Sequence, residues 1–353
     1  MRIASELGAT VYLPCISLRR FCRFCSMSGT QRHLEIFLVC LFFACLPKLS
    51  ITAQESAKEA SKSVVFGSGQ GLDHVGIAVR DLETAKRTYR DVLGFTVFAG
   101  GKHPNGTRNS GPALESGYLE LITPWDPTKT MGGVVAKFLE KHEGTLFLGL
   151  DVSPVDDTAK LLRSRGFNIR GPEAGSINDD PDQHDSFVAW RPVGLETGPV
   201  PAAHLPTRST DAIFFIQYDT VHRNTAKKLS SVWMAVRDLE ATVKEYESMG
   251  FRPGRKLPAP QLGAQGQEIE AGRGSILLLQ PENSTDKVAS FLAERGAEGI
   301  MGISIEVASL QTARSLLEAN TKRKFGPYAG PYGQSILIPP ELTHGVWIEF
   351  FQK

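Results

Sequence analysis

The hexapeptide Ala-Val-Arg-Asp-Leu-Glu stands at positions 78–83 and again at 235–240, an offset of 157 residues (235 − 78). Each copy follows a short β-like run, Leu72–Val79 in one case and Leu229–Val236 in the other. Each leads into a helical stretch closed by Gly-Phe, at Gly94-Phe95 and at Gly250-Phe251. A strand, a helix and a glycine stop used twice predict a chain built from a duplicated unit. Function then becomes a comparison within one sequence, between a copy that keeps polar groups and a copy that has apolar ones in their place.

Working outward, Val75, Ile77 and Val79 fall on one face of the first strand, while His74, Gly76 and Ala78 fall on the other. Asp81 fits a helix N-cap, with Leu82, Ala85, Tyr89 and Val92 at helical spacing behind it and Gly94 as the stop. Phe95–Phe98 reads as a second strand, Gly100–Asn109 as a glycine-rich loop and Tyr118–Ile122 as a further strand, giving the order β-α-β-β-β. The order recurs more loosely from Leu146–Val152, through a helix over Asp156–Arg165 and strands at Phe187–Trp190 and Ile213–Tyr218. A third unit opens at Leu229. A fourth opens at Met301–Ile305, has a helix capped by Ser309 and closes on Val346–Phe351. The prediction is an α+β protein of four βαβββ modules paired into two domains, 70–219 and 220–353.

The 353 residues carry a net charge of +1, which gives no electrostatic reason to bind nucleic acid or an anionic membrane surface. All five cysteines (Cys15, Cys22, Cys25, Cys40 and Cys45) precede residue 46, so the modules hold no disulfide, thiolate ligand or cysteine nucleophile. The pair Cys22 and Cys25 has no second pair to complete a zinc site. Ile36–Leu46 is an unbroken apolar run, too short for a stable membrane span and of the length of a signal-peptide core. With Ile51-Thr52-Ala53 as a cleavage site, residues 1–53 read as a leader, with Met27 an alternative start and 54–69 a polar spacer. Phe42-Phe43-Ala44 is a poor match to the signal for lipidation at Cys45. The expectation is export, to the periplasm or outside the cell.

Taken together, Leu72-Asp73-His74-Val75 with Ala78–Glu83, Gly100–Pro104 with Gly106-Thr107 and Asn109, Gly117–Ile122 and Phe214–Gln217 resemble the vicinal oxygen chelate superfamily, in its glyoxalase-like domain group. The resemblance implies that paired modules curl their sheets into a cup, and that a metal, where present, is held by the opening and closing strands of each module. The opening positions here are His74, Phe147 or Leu148, Ser231 and Ile300. The closing positions are Glu120, Gln217, Leu277 and Glu349. His74 to Glu120 and Ser231 to Leu277 are both 46 residues apart (120 − 74; 277 − 231), which supports the pairing.

The first domain thus presents His74, Glu120 and Gln217 as candidate ligands of a divalent ion such as Zn²⁺, Mn²⁺, Fe²⁺, Co²⁺ or Ni²⁺, whereas the second keeps only Glu349. Glu120 reads equally as a ligand or as a base beside the metal. The opposing reading is a metal-free polar pair orienting a ligand. His103, Thr107 and Asn109 are rim candidates for hydrogen bonds to a substrate, set against the plain turn chemistry of Pro104-Asn105-Gly106. Trp190 is a wall candidate, set against ordinary core. Extradiol dioxygenase chemistry is disfavoured, because the second module opens on an apolar residue where a second histidine is needed. The acidic stretch Asp179–Asp185 reads as a solvated loop, and Glu349 as a satisfied polar remnant.

The expected function is a metal-assisted lyase, isomerase or hydrolase acting on a small oxygenated substrate, with His74 and Glu120 central. The alternative is a non-catalytic cup that sequesters a small molecule. A homo-oligomer is left open.

Overall fold

In the computed structural model, which describes residues 66–67, 69–178, 187–218 and 228–353, the chain is α+β with two large mixed sheets of matching strand order. The expected leader, most of the expected spacer and Asp179–Asp185 lie outside the described residues. In the first sheet β1 (Gly71–Ala78) runs parallel to β4 (Tyr118–Pro124) and antiparallel to β5 (Gly144–Asp151). Strand β5 in turn runs parallel to β9 (Ile213–Tyr218). One wing carries β3 (Thr107–Pro112) and β2 (Val97–Phe98). The other carries β8 (Phe187–Leu195), β6 (Ile169–Arg170) and β7 (Gly175–Asn178). The second sheet repeats the order. There β10 (Lys228–Ala235) lies between β13 (Gly274–Pro281) and β14 (Gly299–Glu306), and β14 pairs with β17 (Trp347–Gln352).

The duplicated hexapeptide does the same work in each half. Asp81 accepts from Thr84 N at 2.9 Å and opens the helix Leu82–Arg87, while Asp238 accepts from Ala241 N at 2.9 Å and opens Leu239–Met249. The first helix runs on through a π-helical turn at Thr88–Val92 before Gly94 ends it with positive φ. The registers also match. His74 lies opposite Tyr118 as Ser231 lies opposite Ser275, and Glu120 opposite Gly76 as Leu277 lies opposite Trp233. Both opening strands have register shifts at equivalent points, Leu72/His74 with Gly76/Ile77 and Leu229/Ser231 with Trp233/Met234.

All eight residues of β1 are buried, because both of its faces are covered. Val75 and Ile77 point into one large apolar cluster that also holds Val232, Met234 and Ile303 of the second sheet, so the two halves share this core. The opposite face points into the first cup, where Ile122, Met131, Val135, Phe147 and Phe214 form a separate cluster. Two helices absent from the sequence reading, Thr130–Leu139 and Lys287–Arg295, complete the halves. Met131, Val134, Val135, Phe138 and Leu139 were the helical signal in the first, and Gly132-Gly133 obscured it. Gly132 is small for a packing reason: a β-carbon there would overlap the carbonyl of Asp126.

The cups also differ at a cross-strand pair between the opening strands. In the first, Gly76 faces Phe147; in the second, Trp233 faces Gly302. Large and small have changed places, and the glycine in each pair lies under the neighbouring ring. The buried Trp233 indole occupies the inner face of the second sheet with Leu277, Leu279 and Met301, and its Nε1 donates to Ser304 Oγ at 2.8 Å. Ser304 donates to Glu349 Oε2 at 2.6 Å and Tyr328 donates to Glu349 Oε1 at 2.7 Å, so this fully buried carboxylate has both oxygens satisfied.

Candidate active site

The first cup encloses a cavity of about 550 Å³, within the size range of small-molecule sites. His74 and Glu120, 2% and 5% exposed, reach its floor from β1 and β4. The His74 ring stacks on Tyr118 with centroids 4.6 Å apart and meets the edges of Phe214 and Phe147 at 5.4 and 5.9 Å. Its remaining face lies over Gly149, the residue opposite it in β5, where a β-carbon would overlap the ring. The imidazole is therefore fixed in place by its surroundings.

Hydrogen bonds then fix its orientation. His74 Nδ1 lies 2.7 Å from Asp73 Oδ2, an ionised acceptor, so this nitrogen carries the proton and Nε2 faces the cup, 3.7 Å from Glu120 Oε2. Burial alone would raise the Asp73 pKa, but the hydrogen bond and electrostatic interaction with His74, the Arg273 guanidinium and the Tyr218 hydroxyl together bring it below its ordinary value. Tyr218 OH donates to Asp73 Oδ2 at 3.2 Å. Its own pKa is raised well above the usual tyrosine value by burial and by the Asp73 charge, so it remains a neutral donor.

The rim candidates converge on the same carboxylate. Asn109 Nδ2 donates to Glu120 Oε1 at 3.0 Å, and its Oδ1 accepts from Gly101 N at 3.1 Å, which sets the amide orientation. Thr107 Oγ1 donates to Asn105 Oδ1 at 2.9 Å, so towards His103 it acts as acceptor, at 2.8 Å from Nδ1. His103 thus also carries its proton on Nδ1 and turns Nε2 towards Glu120 Oε1, at 3.9 Å. Trp190 walls the cavity and meets His103 edge to face at 5.7 Å. His74, His103, Thr107, Asn109, Glu120 and Trp190 all line this one cavity.

Gln217 does not. The expectation that it faces the cup is corrected by strand parity: Phe214, Ile216 and Tyr218 point inward from β9, and Gln217 points outward. Its Oε1 accepts from Val155 N at 2.9 Å, at the start of the helix Val155–Ser164. The ladder explains the misplacement. Gly149 pairs with Phe214 as Gly76 pairs with Glu120, so the residue matching Glu120 in the second module is Phe214. Its partner position, matching His74, is Phe147. Two of the four strand positions that would surround an ion therefore hold aromatic rings. The two histidines face different oxygens of Glu120, and among the described residues no group of three or more His, Cys, Asp or Glu side chains is placed around a common point. The donor set falls short of a metal site.

Sequence reasoning missed Asp73, Tyr118, Tyr218 and Arg273 as site residues. Asp73 was visible as the neighbour of His74. Arg273 had no local signal, since it arrives from the second half of the chain.

The arrangement can hold and move a proton. Glu120 and two imidazole Nε2 atoms are acceptors facing one another in a buried site, an arrangement suited to receiving and relaying a proton. The aromatic walls favour a flat apolar body. Among the described residues, the cavity-lining charges are Asp73, Glu115, Glu120 and a single arginine, Arg273, already bonded to Asp73.

The sequence profile described as "Glyoxalase-like domain" matches residues 72–250, just over half of the chain. An ethylmalonyl-CoA/methylmalonyl-CoA epimerase of Cereibacter sphaeroides is 31% identical over 130 residues, covering 35% of this chain and 97% of that protein. Among solved structures, a hypothetical protein from Staphylococcus aureus superposes with a TM-score of 0.54 at 14% identity, over 80% of this chain and 100% of that one. A mutant 4-hydroxymandelate synthase from Streptomyces coelicolor gives 0.56 at 14% identity, over 80% and 92%. These two structures share the fold.

Proposed function

Since the chain belongs to the glyoxalase-like domain family of the vicinal oxygen chelate superfamily, we propose that its first cup transfers a proton on a small, uncharged, oxygenated substrate, in the manner of an isomerase or lyase. The observation that carries this reading is Glu120, buried on the floor of an aromatic cavity with a histidine Nε2 facing each of its oxygens, at 3.7 and 3.9 Å. Glu120 takes a proton from the carbon next to a substrate carbonyl. The electron pair of that C–H bond forms a carbon–carbon double bond, and the carbonyl pair moves onto oxygen. That oxygen takes the proton Glu120 has just removed, relayed through the facing Nε2 of His74 or His103. Return of a proton to carbon gives an isomer, and departure of a β-substituent gives elimination. Asn109 holds the carboxylate; Phe147, Phe214 and Trp190 exclude water from the reacting atoms.

No step runs through a metal, because Gln217 faces away and the remaining strand positions are Phe147 and Phe214. An uncharged substrate departs from the ester named for the epimerase relative, while proton transfer at carbon agrees with it in reaction class. A carboxylate or phosphate ester would enter a cup whose described lining holds three carboxylates and one committed arginine, against a negative field. A neutral aryl ketone or hydroxyketone meets no such barrier. The leader reading adds that the reaction takes place after export, and N-terminal sequencing of secreted protein is expected to begin near Gln54.

The test is exchange of the α-protons of neutral aryl ketones and hydroxyketones, 2-hydroxyacetophenone among them, followed by proton NMR in D₂O. The parent is expected to exchange at least one of them faster than buffer, and Glu120→Gln to lose about 10²–10⁴-fold of that rate. Saturable binding with no exchange, unaffected by Glu120→Gln and abolished by Trp190→Ala, would instead establish a sequestering cup.

A further inference from the structure

Arg273 belongs to the second sheet, in the turn between β12 (Ala264–Ala271) and β13, yet it lines the first cup. Its backbone is tied to the start of β1. Arg273 N donates to Gln70 O at 2.8 Å, and Gly272 forms a β-bridge with Gly71. The two glycines touch so closely that a β-carbon on either would overlap the other strand's backbone. The root of the side chain is thereby fixed relative to His74, only three residues beyond Gly71.

From that root Arg273 Nη2 donates to Asp73 Oδ1 at 3.1 Å and lies 3.6 Å from Asp151 Oδ2. The Asp73 carboxylate is thus divided, one oxygen taking the guanidinium and the other taking His74 Nδ1 at 2.7 Å. Tyr218 adds a second donor to the latter oxygen. Remove the guanidinium and two carboxylates, Asp73 and Asp151, are left close together without their cation. Without the donor that holds Oδ1, Asp73 can rotate away from Asp151, and that rotation costs His74 the acceptor that fixes its tautomer.

We propose that Arg273 is a positioning residue of the first cup, supplied by the second half of the chain: by holding Asp73 it keeps the proton of His74 on Nδ1 and presents Nε2 to Glu120 and the substrate. The proposal rests on the reading of the first cup as an active site, but its test involves no substrate. It also gives the half whose own cup is filled by Trp233 a part in the chemistry of the other.

The experiment is a long-range ¹H–¹⁵N spectrum of full-length protein labelled at histidine, with His74→Gln used to assign the His74 ring. In the parent, Nδ1 is expected to resonate as a protonated nitrogen and Nε2 as an unprotonated one. Arg273→Ala is expected to draw the two resonances together as the tautomers mix, and Arg273→Lys to restore part of the separation. Arg273→Gln, which keeps most of the side-chain volume, replaces Arg273→Ala if that variant does not fold. Asp73→Asn, which leaves the Gly71–Gly272 bridge and the tie of Arg273 N to Gln70 O in place, is expected to give the same collapse. A purely structural arginine would lower the melting temperature and leave the His74 resonances as in the parent, which would overturn the proposal. So would a parent spectrum showing the proton on Nε2. A failed search for proton-exchange activity has no bearing on either result.

Discussion

Gly149→Ala is a single-methyl change that should disable the first cup, and its cost can be worked out from the packing. The added carbon would stand 2.6 Å from His74 Nδ1 and 2.9 Å from Nε2, against about 3.5–4.0 Å for an unstrained contact. Cε1 of the ring is closer still to the added carbon, so the ring must move by more than 1 Å, and Tyr118, stacked 4.6 Å away on its other face, leaves it no room. Overpacking of this kind costs about 1–3 kcal/mol, and moving Nδ1 from Asp73 forfeits a charge-assisted hydrogen bond worth about 1.5–3 kcal/mol. The two losses overlap, so a total of about 3 kcal/mol is expected. Urea unfolding of the parent, Gly149→Ala, His74→Ala and the double variant forms a thermodynamic cycle. If the clash is with the imidazole, Gly149→Ala should cost under about 1 kcal/mol once His74 is alanine. An equal cost in both backgrounds would refute the reasoning, by showing that the methyl meets the strand and not the ring.

Three further outcomes follow from the same geometry. Gln217→Ala should lower stability by about 1 kcal/mol, the usual value of a helix-cap hydrogen bond, while leaving ligand affinity in the first cup unchanged; weakened binding would restore Gln217 to the site. Asp151 is pushed up to about 6, first by burial and then by the Asp73 charge, with Arg273 partly offsetting both. A carboxyl whose folded pKa is raised from 3.8 makes its full contribution below that value and loses it as pH rises through about 6. Asp151→Asn should accordingly flatten the stability profile between those limits and gain roughly 1 kcal/mol at neutral pH, an amount reduced because the side chain is partly solvated; a profile parallel to the parent's would contradict this. Elemental analysis after incubation with Zn²⁺, Mn²⁺ or Fe²⁺ should find well under one ion per chain, since Phe147 and Phe214 occupy two of the four strand positions. Stoichiometric metal, lost in both His74→Ala and Glu120→Ala, would reverse that expectation.

The module order was legible because strand alternation, Asp N-caps and Gly stops are local signals, and the repeated hexapeptide fixed their spacing. His74 and Glu120 were legible for the same reason, as the matching 46-residue intervals placed them in one register. The closing position of the second module was not, since that module repeats its pattern too loosely to count from. A miscount there put Gln217 where Phe214 stands, and a slip that turns a strand residue over moves it from the cup to the outer face. The helix Thr130–Leu139 was hidden by Gly132-Gly133, whose reason for being small lies in a carbonyl from another segment. Arg273 was out of reach altogether, because 199 residues (273 − 74) separate it from the histidine it serves.

The exchange of Gly76–Phe147 for Trp233–Gly302 also bears on how many ligands one chain takes up. With an indole standing in the second cup, returning a histidine at Ser231 or a carboxylate at Leu277 would leave those groups no space to receive anything. Titration by calorimetry should therefore saturate at one equivalent in spite of the internal symmetry. Trp233→Gly is the change from which a second equivalent could be built. The duplicated half keeps the fold and the cross-strand register of the first cup, with a buried indole packed among Leu277, Leu279 and Met301 on its inner face.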